Sequence, residues 1–336
     1  MNSPPPATTN PSVLIVILNW NAPAETADAV ASVLNMDYDN FSIAIIENGS
    51  TDDSVAALTP ILSDRVRMLQ SPVNLGYTGG CNLGFDLALK ENFDYVWLLN
   101  SDAITPPHTL TSLVATAESS PTIGMVSPLI ASITALVPDQ SRYVHVAGLF
   151  NPAIPSCEST RDPEVARQWM QSSPERVMLL GTALLVKVAL VRAIGKLDSD
   201  LFAYWEDCDF SVRTFKAGFR NVVDFNSVVH HTEKSAKDAV HEIKPHYWYY
   251  MARNESRFWK KHLSGTARLK PLWWAYNTQV KFLTMLGDNQ VSRDAILAGL
   301  WHGWTGRTGP YKPGMSIPAP VASLILAHTR KVAATL

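Results

Sequence analysis

Four stretches of the chain carry residue types that can do chemistry. The apolar run Tyr95-Val96-Trp97-Leu98-Leu99 ends on Asn100-Ser101-Asp102, a polar triplet with one carboxylate. Such a carboxylate can hold a divalent cation and, through it, a phosphate; it can equally cap the turn before Thr105-Pro106-Pro107. Further on, Tyr204 and Trp205 lead into Glu206, Asp207 and Asp209, three carboxylates in four residues. Like charges that close raise at least one pKa, which suits a general base at a cleft. The same residues also fit the favourable negative start of a helix. His230-His231 closes another apolar run, as a metal ligand or as a structural hydrogen-bonding pair. Finally, residues 74–82 (NLGYTGGCN) place three glycines ahead of a helix expected at 83–90. That spacing lets the backbone approach an anion closely, or simply makes a tight turn.

These groups need a sheet to bring them together. Apolar runs at 13–18, 41–46, 66–69, 95–99 and 222–229 read as strands, the first and fourth as fully buried members of a mostly parallel sheet. Helical spacing predicts helices over 24–34, from Asp53 or Ser54 onward, over 83–90, and from near Glu206. Strand, helix and strand in succession form a right-handed βαβ unit. Its strand ends, Asn19-Trp20-Asn21 and Glu47-Asn48-Gly49-Ser50, then share the sheet edge where open α/β folds bind ligands. The segment 177–186 reads as one ordered apolar run followed by a helix to Gly195, whereas 122–173, with several prolines, reads as insertions covering the sheet.

Composition removes several classes of function. With 336 residues, 46% hydrophobic and 17% charged, and a net charge of -2, the chain has the profile of a globular protein with ample core and no electrostatic pull toward nucleic acid. Cys81, Cys157 and Cys208 are odd in number and far apart, so neither a disulfide framework nor a zinc knuckle is indicated, and a reducing compartment is the simpler expectation. Residues 1–12 read as a disordered leader rather than a signal peptide. The most apolar long window, 177–195, is interrupted by Lys187 and Arg192, so no transmembrane helix is expected.

Composition changes after residue 243. Residues 244–281 hold nine aromatic and eight basic residues against the single acid Glu255, a mixture suited either to a membrane headgroup layer or to a packed helical subdomain with a solvated basic face.

In order, ILNWNAPAET, IIENGSTDDS, NLGYTGGCNLGF, DYVWLLNSDA, GTALLVKVALVRAIGKLD, LFAYWEDCDFSVRTFKAGF, the histidine pair and YYMARNESRF resemble the family 2 glycosyltransferases, and within them the rhamnosyltransferase-like branch that builds bacterial surface polysaccharides. The resemblance runs from about Val13 to His262. It implies an α/β GT-A domain over 13–243 with a mostly parallel central sheet, a mainly helical aromatic and basic extension over 244–336, and inverting, metal-assisted transfer of one sugar from a nucleotide-diphospho-sugar.

Carried over residue by residue, the resemblance places Asn19 and Asn21 beside the nucleobase. Glu47 takes the place of the usual pyrimidine-contacting Asp, and Asn74, Gly79 and Asn82 line the ribose and sugar. Asn100-Ser101-Asp102 stands where the family has DxD, its first Asp replaced by Asn. Asp102, with one of His230 or His231, would hold Mg²⁺ or Mn²⁺. Asp207, in the Glu206-Asp207 pair, would be the base, with Tyr204 and Trp205 as an apolar wall for the acceptor. The implied donor is dTDP-L-rhamnose, or alternatively a UDP-hexose, UDP-N-acetylhexosamine or UDP-galactofuranose. The implied acceptor is a glycan or lipid-linked glycan, and the aromatic and basic segment 244–281 suggests a cytoplasmic protein in peripheral contact with the inner face of the plasma membrane. No QxxRW motif occurs, which argues against a processive synthase. Two other readings bear on this one. The altered DxD is compatible with a catalytically silent nucleotide-sugar-binding scaffold, although such a protein has no use for a base at Asp207. A dinucleotide-dependent oxidoreductase would carry GxGxxG where this chain has Asn19-Trp20-Asn21-Ala22-Pro23.

Overall fold

A computed structural model of the protein describes residues 10–133, 143–153, 157–231 and 243–333. The expected leader therefore lies, apart from its last three residues, outside the described residues. Strands are β1 (Val13–Asn19), β2 (Phe41–Asn48), β3 (Val66–Ser71), β4 (Tyr95–Asn100), β5 (Ala103–Ile104), β6 (Ile123–Ser132), β7 (Tyr143–His145), β8 (Ala147–Leu149), β9 (Glu158–Thr160), β10 (Val177–Met178), β11 (Ala183–Lys187) and β12 (Arg220–His231). Helices are α1 (Pro23–Leu34), α2 (Ser54–Leu58), α3 (Gly76–Glu91), α4 (Thr109–Glu118), α5 (Pro163–Ser172), α6 (Val188–Ile194), α7 (Glu206–Lys216), α8 (Pro245–His262), α9 (Leu269–Met285), α10 (Gln290–Thr305) and α11 (Ala319–Ala333).

The main sheet runs β3-β2-β1-β4-β11-β6-β12-β5, with β7 paired to β6; β10, β8 and β9 form a small second sheet. Strands β1 to β4 are parallel, so the ends of β1, β2 and β4 open on one edge. Their side chains are apolar on both faces and buried, as a sheet covered by helices on both sides requires. β11 runs antiparallel to both of its neighbours, which makes the sheet mixed.

Three expectations are corrected. The segment 122–173 is not only a covering insertion, because its first residues form β6, buried along its whole length between β11 and β12. Pro128 disguises this strand in the sequence, since proline cannot donate to a ladder. Opposite it β12 bulges, the register shifting between Asp224 and Val228. The run 177–186 is two strands, β10 and β11, separated by the turn that carries Gly181.

The glycine-rich stretch is not a loop, because α3 already begins at Gly76. A Cβ on Gly80 would lie 2.3 Å from Leu18 Cδ1, and one on Gly84 2.5 Å from Val16 Cγ2. These glycines let α3 lie directly on β1. A Cβ on Gly76 (φ +74°) would meet the Phe202 carbonyl at 2.4 Å, so the helix start also seats the loop before α7.

Of the two readings of 244–281, the packed helical one describes α8: most of its aromatic residues are interior, while Lys244, Lys261, Arg268, Lys270 and Lys281 are exposed. Along α8, Trp248, Tyr249, Tyr250, Phe258 and Trp259 are buried, together with Arg253 and Asn254. Helices α9, α10 and α11 pack around this core. Among the described residues no helix is long and apolar enough to cross a membrane.

Candidate active site

At the open edge of the sheet the strand ends bind one another. Asn19 is fully buried, its amide oxygen accepting from Thr26 Oγ1 (2.8 Å) and its nitrogen donating to Ser50 Oγ (3.3 Å). Asn21, in the left-handed region (φ 53°), accepts from the Thr51 N–H at 2.8 Å. Glu47 is buried and its Oε1 accepts from the Ser50 N–H at 2.8 Å. These three thus hold the loop 49–51 across the ends of β1 and β2. Asn48 donates to Asn74 Oδ1 and to the Gly76 carbonyl, each at 3.2 Å, and Asn74 Oδ1 accepts from the Gly76 N–H at 2.7 Å.

Asn82 has both amide atoms engaged. It donates to the Leu197 carbonyl (2.9 Å) and Ser199 Oγ (3.2 Å) and accepts from the Leu197 N–H (3.0 Å), tethering the approach to α7. Gly79 lies inside α3, where an added Cβ would meet Leu75 Cβ at 2.7 Å.

β5 pairs with the end of β12 in the register His231↔Ala103 and His230↔Ile104, which brings Asp102 beside His231. The Asp102 Oδ1 to His231 Nε2 distance is 3.1 Å, with both side chains partly exposed. His230, the neighbouring residue on the same strand, points to the opposite face, so the sheet register distinguishes the two histidines. One carboxylate and one imidazole are a donor pair suited to a divalent cation whose remaining positions are taken by substrate phosphate oxygens. Among the described residues no cluster of three His, Cys, Asp or Glu groups is poised to enclose a metal by itself.

Asp207 lies in the first turn of α7. Its Oδ2 accepts from the Gly181 N–H at 3.0 Å and its Oδ1 from the Cys208 N–H at 2.7 Å. The Gly181 carbonyl in turn accepts from the Tyr77 hydroxyl at 2.8 Å, and the next carbonyl, of Thr182, accepts from the Asn100 N–H at 3.0 Å. Burial pushes the Asp207 carboxyl above its usual range, against the opposing pull of these N–H donors. Glu206 is also buried, its Oε2 has no hydrogen-bond partner, and burial followed by the adjacent Asp207 pushes it up to about 8. Two close carboxyls titrate as a pair. The Gly181 and Cys208 N–H donors favour the ionised form of Asp207 and oppose the effect of its burial.

Asp209 lies on the far side of α7 and is 1% exposed. It binds Arg213 Nε, Lys261 Nζ and His262 Nε2, each at 2.8 Å, and these partners hold its carboxyl well below the usual range despite burial. Its role is to lock α7 to α8.

Tyr204 and Trp205 belong to no strand. Phe202, Tyr204 and Trp205 all have positive φ (65°, 68° and 71°) in the loop that enters α7, each costing about 1–2 kcal/mol in an L-residue. The loop persists because α8 over-determines it. Arg253 donates to the carbonyls of Asp200 and Leu201, and Asn254 to those of Leu201, Ala203 and Tyr204, at 2.7 to 3.1 Å. Sequence reasoning gave Arg253, Asn254, Gly181 and Tyr77 no role. All four lie in the conspicuous segments quoted above, but only long-range pairing shows what they hold.

Two cavities flank Tyr204. One, of about 540 Å³, is lined by Glu206, Asp207, Tyr204 and Trp205 together with His145 and Glu158. The other, of about 520 Å³, lies between the ends of β1 and β2 and the C-terminal helices, lined by Trp20, Asn48, Asn74, Tyr77, Tyr250 and Tyr311 among others.

Residues 14–171 match the family model described as Glycosyl transferase family 2. The N-acetylglucosaminyl-diphospho-decaprenol L-rhamnosyltransferase of Mycobacterium tuberculosis is 27% identical over 250 residues, which cover 68% of this chain and 80% of the relative. Among solved structures, the mannosyltransferase PcManGT from Pyrobaculum calidifontis, in complex with GDP-Man and Mn²⁺, superposes with a TM-score of 0.52 at 16% identity, covering 97% of this chain and 81% of that one. S. aureus TarS 1-349 in complex with UDP-GlcNAc gives 0.55 at 14% identity, covering 95% and 87%. The fold is GT-A, with a mixed central sheet flanked by helices and with further helices at its C-terminal side.

Proposed function

We propose that the chain acts as a family 2 glycosyltransferase, the family its residues 14–171 match, and that it transfers one sugar, with inversion, from a nucleotide-diphospho-sugar to a glycan or lipid-linked glycan. The observation that carries this is Asp207, a carboxyl group oriented by two backbone N–H groups on the wall of a cavity of about 540 Å³. Asp207 takes the proton of the acceptor hydroxyl. The oxygen forms a bond to the anomeric carbon as the bond to the leaving diphosphate breaks, and that electron pair leaves with the diphosphate. Holding two substrates in line supplies much of the acceleration. Asp102 and His231 would hold Mg²⁺ or Mn²⁺, which when bound supplies Lewis-acid stabilisation of charge on the leaving diphosphate.

The nucleotide is placed against the strand ends at Asn19, Asn21 and Glu47, with Asn74, Gly79, Asn82 and Asn100 on the side of the sugar and diphosphate. The rhamnosyltransferase relative favours dTDP-L-rhamnose as donor; UDP-hexose, UDP-N-acetylhexosamine and UDP-galactofuranose are the alternatives. Peripheral association with a membrane is placed at the exposed Leu269 and Trp273 of α9, near Lys270. Failure to float with anionic vesicles would remove it.

The test of the function is release of UDP, dTDP or GDP from a panel of nucleotide-sugars with Mg²⁺, Mn²⁺ or EDTA. One donor should be turned over, and Asp207→Asn should lower its rate about 10³-fold. Binding of a donor without turnover, with or without acceptor, would favour a silent binding protein, the reading that Asn100 in the DxD position motivates.

A further inference from the structure

The cavity beside Asp207 has an unusual charge pattern for a site that must receive part of a membrane-derived glycan. Among the described residues its lining includes Glu158, Glu206 and Asp207, and no Lys or Arg. Its remaining walls are apolar or weakly polar, among them Met178, Leu180 and Met251. A negatively charged substituent brought here would meet no cation among the described lining residues, face the Asp207 carboxylate and lose its hydration, a cost of several kcal/mol. A neutral ring of hydroxyl groups meets no such penalty.

The lining also contains hydrogen-bonding groups that the protein itself leaves unused. His145 Nε2, Trp205 Nε1 and Glu206 Oε2 are buried without a partner. Three such atoms in residues around one cavity are more than a well-packed interior normally tolerates. His145 comes from β7, which is held against the inner strand β6 by the pairing His145↔Ile130, and not from the strand-end loops. Burial, then the nearby Arg161, push its imidazole down to about 4. At neutral pH it is therefore an uncharged donor and acceptor, matched to a hydroxyl or amide and not to an anion.

We propose that this cavity is the subsite for one uncharged, hydroxyl-bearing sugar ring of the acceptor, and that His145 is a specificity-determining residue there. The proposal rests on the transferase reading above and specifies its acceptor class: rings bearing a carboxylate or phosphate are rejected, and any phosphate linking the ring to a lipid lies outside the cavity.

The experiment uses the full chain with the donor identified in the screen and two acceptors on the same long-chain alcohol, an N-acetylglucosaminide and a glucuronide. The neutral acceptor should be used with kcat/KM about 100-fold above the acidic one. His145→Ala should raise the KM for the neutral acceptor about tenfold with the donor KM unchanged, and His145→Gln should restore most of it. His145→Lys, which adds a cation to the lining, should narrow the preference about tenfold. Equal use of the two acceptors, or a parallel change in donor and acceptor KM in His145→Ala, overturns the proposal while leaving the transferase reading intact. Absence of nucleotide release from every donor, with both acceptors present, removes the transferase reading and this one with it.

Discussion

Asp207 and Asn100 are joined through two consecutive residues of one turn: Gly181 donates its N–H to Asp207 Oδ2 at 3.0 Å, and Thr182 accepts the Asn100 N–H at 3.0 Å. Asp207, the proposed base, is thereby registered against the loop that carries Asp102. Because β11 starts immediately after this turn and lies in the main sheet, the distance between the two halves of the site is set by a strand and not by a free loop.

The Glu206-Asp207 pair sets the pH dependence. Asp207 must be ionised to act as base, and its carboxyl is raised by burial, so activity should increase with pH through a limb above the ordinary carboxylate range. Glu206 loses its proton near pH 8, which places a second negative charge beside the first and should lower the rate again. The expected profile of kcat/KM is a bell, and Glu206→Gln should abolish its alkaline limb. A profile in Glu206→Gln identical to that of the wild type would show that Glu206 is not the group responsible.

Asp102 and His231 should act together on metal dependence. Asp102→Asn and His231→Ala are each expected to raise the Mn²⁺ concentration for half-maximal turnover by about 10-fold or more, whereas His230→Ala should leave it within twofold because the strand turns that side chain to the other face. Metal titration of the three variants distinguishes them, and equal effects at His230 and His231 would contradict the register in which Ala103 meets His231.

Asn254 should matter to turnover although it lines neither cavity. It holds three carbonyls of the loop carrying Tyr204 and Trp205. Asn254→Ala should lower kcat about 10- to 100-fold while circular dichroism still reports a folded protein. Unchanged kinetics would mean that the left-handed loop is stable without α8.

Asp209 is a stability group. Its carboxylate is depressed below the unfolded value by His262, Arg213 and Lys261, so it contributes stability above the ordinary carboxylate pKa, and that contribution is lost as pH falls toward the depressed value. Asp209→Asn should cost about 3 kcal/mol at neutral pH, measured by urea unfolding, and the difference from wild type should shrink in acid.

Much of the site was legible from the chain alone because local signals carried it. The apolar runs ending at Asn19, Glu47-Asn48 and Asn100 each named a strand that ends on one edge of the sheet, and Glu206-Asp207 stood at a helix start as their charge suggests. β6 was missed because Pro128 contradicts a central strand locally, and only the bulge of β12 after Asp224 accommodates it. The glycines of α3 were read as a loop because a helix that must touch β1 and a loop that must touch an anion use the same residue.

What the sequence by itself determined, then, is the set of candidate groups and the parallel half of the sheet, since both follow from periodicity and residue type within a few positions of each other. Tertiary structure alone decided which histidine faces Asp102, how Glu206 and Asp207 are buried together, and why Phe202, Tyr204 and Trp205 can stay strained. Those outcomes depend on strand register, on burial and on hydrogen bonds from residues 50 or more positions away, such as Asn254 to Tyr204, and no local pattern encodes contacts of that range.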